Sequence, residues 1–77
     1  MKHGAVLFQS TSLALRAERV CQRAGLVVKL IPTPRQISSN CGTALRFEWG
    51  DREEVETALG EAGVKFEEFY QLKSRAD

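Results

Sequence analysis

The chain has 77 residues and a mass of 8.6 kDa, enough for one small domain spanning 1–77 and too little for two. At 43% hydrophobic and 27% charged it has the composition of a globular sequence, not of a disordered one. Eleven Lys and Arg against ten Asp and Glu leave a formal net charge of +1. That balance argues against a nucleic-acid binder working by phosphate neutralisation and against attachment to an anionic membrane surface.

Ala5–Gln9 is a short apolar run that reads as a buried strand. Ser10, Thr11 and Ser12 follow, a hydroxyl cluster of the kind that caps helix N-termini. Leu13, Ala17, Val20, Cys21 and Ala24 then share one face at helical spacing, with Arg16, Glu18, Arg19, Gln22 and Arg23 on the flanks and the opposite face. Gly25 is the expected left-handed stop. Leu26–Ile31 reads as a second strand; broken by Lys29, it is far shorter than the roughly 20 residues that span a bilayer. The stretch from Pro32 to Gly42 holds two prolines and reads as an irregular connection. Ala44–Trp49 alternates as a third strand, with Leu45, Phe47 and Trp49 on one face. Asp51 and Glu54 have the form of a capping box for a second helix striped by Val55, Ala58, Leu59 and Ala62 and stopped by Gly63. Val64–Leu72 reads as the last strand.

A shift of 38 residues superposes the halves: Gly4 falls on Gly42, Gly25 on Gly63, and Ala17, Val20, Cys21 and Ala24 on Val55, Ala58, Leu59 and Ala62. Two such halves in tandem predict an α+β fold, the ferredoxin-like β-α-β-β-α-β arrangement. It has a four-stranded antiparallel sheet in spatial order 4-1-3-2, with two helices on one face. Strands one and two then end on the same sheet edge, where strand three begins. The 32–43 connection is therefore expected beside the Ser10–Thr11 start of the first helix.

Cys41 is the leading candidate for chemistry, in an irregular loop beside Asn40 and Gly42 and six residues after Arg35. A helix N-terminus and a guanidinium both favour thiolate over thiol, and Gly42 removes a side chain beside the sulfur. Arg35, Ser38 and Ser39, with Ser10 and Thr11, form a candidate set of donors for an anion. Cys21 lies in the apolar stripe of the first helix and reads as a core residue. A Cys21–Cys41 disulfide is not expected, because roughly 14 Å of helix rise separates Cys21 from the loop end. His3 reads as a solvated terminal side chain. No Cys-x-x-Cys, phosphate loop, paired-carboxylate site or aromatic-basic strand pattern is present. No metal, cofactor or nucleic-acid partner is therefore expected. No secretory leader is read ahead of the first strand, so the expectation is a cytoplasmic protein with reduced thiols.

The run Ile31-Pro32-Thr33-Pro34-Arg35-Gln36-Ile37-Ser38-Ser39-Asn40-Cys41-Gly42 resembles the I-P-x-P-R-x-I-S-x-x-C-G signature of a family of small bacterial proteins described as selenium/sulfur carrier protein-like. Ser10, Thr11, Ala14 and Glu18 match its second hallmark, a hydroxyl pair opening the first helix and followed by Ala and Glu. The resemblance covers about the whole chain. It implies sulfur or selenium handling, with Cys41 as the carrier thiol and partners that donate and accept the atom. The Cys-Pro-x-Pro of the small sulfur carriers is absent, so their mechanism does not transfer.

The leading expectation is a carrier and not a stand-alone enzyme: Cys41 takes up sulfur or selenium as a persulfide or perselenide and passes it on. The alternative is a small ligand-binding or protein-interaction module without thiol chemistry. Its uncovered sheet face would present Phe8, Val27, Ile31 or Phe69, and Leu15 is a further contact candidate. A homodimer through a sheet face or edge is expected in either case, because a domain this small buries only about 60–65% of its unfolded surface.

Overall fold

The computed structural model describes residues 2–33 and 42–72. Of the candidate site residues, Arg35, Ser38, Ser39 and Cys41 lie outside the described residues.

Four strands and two helices follow in the expected order: β1 (His3–Leu7), α1 (Thr11–Arg23), β2 (Val28–Pro32), β3 (Thr43–Glu48), a 3-10 turn (Trp49–Asp51), α2 (Arg52–Glu61) and β4 (Phe69–Leu72). The sheet runs β2-β3-β1-β4, every neighbouring pair antiparallel. Counted from the other edge this is the expected 4-1-3-2, with β1 and β3 central. The protein is thus an α+β fold of one antiparallel sheet with two helices.

The 38-residue shift carries α1 onto the 3-10 turn plus α2, residue for residue. Both helices end in the same way. After Ala24, Gly25 takes φ +82° and donates to the Gln22 carbonyl, while Leu26 donates to Cys21. After Ala62, Gly63 takes φ +72° and donates to Gly60, while Val64 donates to Leu59. These paired bonds satisfy helix carbonyls that would otherwise lack partners. A left-handed residue is required at each end, and glycine meets that requirement without strain.

The two helix starts differ. Ser10 is extended, and its Oγ accepts from the Leu13 amide at 3.3 Å. The capping box expected at Asp51 and Glu54 is not formed: Asp51 sits at φ −96°, ψ 11° and makes no side-chain capping bond. The chain enters α2 already coiled through the 3-10 turn. Asp51 therefore lacks the extended conformation from which a cap side chain reaches back to the first free amides.

Side chains sort by strand alternation. Val6, Phe8, Leu45 and Phe47 face the helices and pack with Ala14, Ala17 and Cys21 of α1 and Val55 and Leu59 of α2. The small residues on α1 let the helix approach the sheet closely, and the rings fill the remaining space. Phe69 meets Phe47 edge-on at 5.5 Å and Phe66 at 5.0 Å. On the opposite face Ala5, Leu7 and Ala44 form a smaller cluster with Ile31, Tyr70 and Leu72.

Phe8 is fully buried and Phe69 packs against the helix-side core, so neither is presented by the open face. β4 is shorter than 64–72; Val64 turns into the core and pairing resumes only near Leu7, which accepts from Glu67 and donates to Glu68. Pro32 closes β2 instead of opening the loop, which an edge strand permits. His3 belongs to β1, and its Nε2 lies 3.8 Å from a Glu48 carboxylate oxygen.

Candidate functional site

The end of the sheet at which β1 and β2 finish and β3 starts is fixed by register. Ala44 lies between Ile31 and Leu7, and Pro32 pairs with Thr43. The Thr33 amide donates to the Gly42 carbonyl at 3.0 Å, which closes the mouth of the β2–β3 connection. The chain leaves β1 at this same end and turns through Ser10 into α1. Ser10, Thr11 and Gly42, three of the candidate site residues, are all exposed. The expected topology therefore holds for the described flanks: the connection departs and returns on the edge where α1 begins. Capping engages the Ser10 oxygen as an acceptor and leaves its O–H as a donor.

Cys21 behaves as its place in the apolar stripe predicts. It is 0% exposed, carries a free thiol and sits among the helix-side core residues. Burial pushes its thiol up from 9.0 to about 11, because the thiolate would have to form in an apolar interior. Below about pH 9 the thiol is neutral in folded and unfolded chains alike. Between about 9 and 11 the unfolded chain sheds the proton first, so folding stability falls as pH rises, by about 2–3 kcal/mol once both states have ionised. Cys21→Ala removes that contribution. Denaturant melts of both proteins across this range are expected to show a steeper alkaline loss for the wild type; parallel profiles would contradict the assignment. Tyr70, raised chiefly by its hydrogen bond to Glu68, titrates in both proteins and cancels in the comparison.

One feature was not singled out from the sequence. Arg16, Arg19 and Arg23 border a groove on the outer side of α1 with a volume of about 480 Å³. Their spacing of three and four was legible; that they open a groove depends on α2 lying alongside. Among the described residues no group of three or more His, Cys, Asp and Glu side chains is placed to hold a metal ion, and no helix is long and apolar enough to cross a membrane.

A small antiparallel α+β sheet, with one thiol sealed beneath its helices and a loop mouth at the sheet end where α1 begins, defines the structural class. Residues 3–71 match the family described as "Putative Se/S carrier protein-like". The chain belongs to that family. No curated protein and no solved structure matches it.

Proposed function

We propose that the protein is a sulfur or selenium carrier in which Cys41 is the loaded thiol. The observation that carries this reading is the complete burial of Cys21 as a neutral free thiol. A carried sulfane atom is lost when a neighbouring thiolate attacks its anchoring sulfur, which closes a disulfide and expels the atom as hydrosulfide, or attacks the atom itself, which moves it onto the attacker as a new persulfide. With Cys21 withdrawn into the core, the chain's other thiol has no such competitor. The description of the family to which the chain belongs supports sulfur or selenium as the cargo class.

Loading is a redox-neutral exchange. The Cys41 thiolate attacks the terminal sulfur of a donor persulfide, a new S–S bond forms, the donor's S–S bond breaks, and its electron pair leaves on the donor thiolate. Delivery repeats the step with an acceptor nucleophile, and Cys41 departs as thiolate. A perselenide follows the same balance with selenium as the transferred atom. The chain needs to supply only a thiolate and a way to hold anionic charge. Arg35, Ser38 and Ser39, together with Ser10 and Thr11 at the same sheet end as Gly42, are the proposed source of the latter. Donor and acceptor proteins are the expected partners.

Incubation with a small persulfide donor, followed by intact-mass analysis, tests the reading. Wild type and Cys21→Ala are expected to gain about 32 Da for sulfur, or about 80 Da with a selenium donor, and Cys41→Ser is expected to gain nothing. A Cys41→Ser protein that loads as well as wild type would sink the proposal.

A further inference from the structure

The net charge of +1 conceals a segregation between the helices. Arg16, Arg19 and Arg23 against Glu18 give α1 a charge of +2, while Glu53, Glu54, Glu56 and Glu61 against Arg52 give α2 a charge of −3. All three arginines lie on one face of α1 and all are exposed, as are the four glutamates of α2. Among the described residues the ion pair found is His3–Glu48, so no carboxylate neutralises the arginine face. Leu15 also borders that groove. It is 46% exposed, and with Val27 it is one of two large exposed hydrophobic side chains among the described residues. An apolar side chain set among unpaired guanidiniums is the composition of a docking surface for an acidic partner.

We propose that the partner is a second copy of this chain, with the arginine face of α1 laid against the glutamate face of the other copy's α2. Antiparallel β1 and β3 are each followed by a returning helix, so α1 and α2 run antiparallel side by side on the same sheet face. A two-fold axis parallel to the helices sets α1 of each copy over α2 of the other, and both contacts form at once. The open sheet face is less suited, because Ala5, Leu7 and Ala44 at its centre are already 0–2% exposed without any partner. The slab is 35 × 26 × 15 Å, so its broad face is wide enough for the roughly 800 Å² per partner that a stable interface uses. The contact is largely ionic and at a surface, so it is weak and strongly salt-dependent.

Sedimentation equilibrium of the full chain under reducing conditions tests this. The dissociation constant is expected to rise at least about tenfold between about 0.05 M and about 0.5 M salt. Arg16→Glu/Arg19→Glu and Glu56→Arg/Glu61→Arg are each expected to be monomeric alone, and their equimolar mixture to form a one-to-one dimer. Circular dichroism establishes that both remain folded, and Arg16→Gln/Arg19→Gln, which removes charge without reversing it, is expected to weaken association in the same direction. A wild type that stays monomeric at about 1 mM in low salt, or a dimer indifferent to salt and to both reversals, overturns the proposal. The second result would assign association to the sheet face or an edge.

Discussion

Gly4→Ala is expected to destabilise the protein by about 1–3 kcal/mol, although alanine is otherwise the better strand residue. Gly4 lies in β1 opposite Phe47, and the rings of Phe47 and Trp49 stack over it with centroids 5.9 Å apart. A Cβ at this position would meet Trp49 Cε3 at 2.5 Å, Phe47 Cζ at 2.7 Å and Trp49 Cζ3 at 2.9 Å. Phe47 is 1% exposed and cannot swing into solvent. Trp49 would have to move instead, disturbing the Arg52 guanidinium 5.5 Å from its ring centre. For a protein of this length the melting temperature should fall by on the order of 10 °C. Gly60→Ala is the matched control: a Cβ there meets nothing within 4 Å, and alanine in a helix is expected to stabilise by about 0.5–1 kcal/mol. Calorimetry showing both variants melting with the wild type would contradict the packing around Gly4.

Iodoacetamide at neutral pH is expected to add one label to the native protein, on Cys41. Cys21 holds about one thiolate in 10⁴ at pH 7 given a thiol pKa of about 11. It is also 0% exposed, so labelling waits on opening of the helix layer. The two factors together predict a rate difference of more than about a thousandfold. Peptide mapping should show Cys41 alone modified, with Cys21 joining only in denaturant. Native Cys41→Ser protein is expected to stay unlabelled. Comparable labelling of Cys21 would remove the argument that a carried atom has no second thiol to fear.

The start of α1 and the C-terminal ends of both helices were legible. The hydroxyls at Ser10–Ser12 and the glycines at 25 and 63 act through bonds confined to a few neighbouring residues, so local spacing was enough to read them. The start of α2 shows where local reading fails. Asp51 and Glu54 have the right spacing for a capping box, but the preceding 3-10 turn holds Asp51 in a coiled conformation that no side-chain pattern announces. Of the candidate site, the flanks Ser10, Thr11 and Gly42 stand on the sheet end that the repeat predicted. The topology of two βαβ-like halves leaves that end no alternative.

Sequence by itself determined the α+β class, the strand order, the single apolar stripe that buries Cys21 and the family signature around Cys41. Each is written in periodicities of two and 3.6, in glycine positions, or in a contiguous run of residues. Tertiary structure alone decided which apolar side chains are exposed. Phe8 and Phe69 were expected on the uncovered sheet face, and they are covered because the helices and neighbouring rings close over their side of the sheet. Gly4 looked like a repeat marker and proved to be the floor beneath two stacked rings. The arginines of α1 and the glutamates of α2 were visible as separate charge runs. Packing the two helices on one face turned them into adjacent surfaces of opposite sign, because long-range contacts set relative position and no local pattern encodes them.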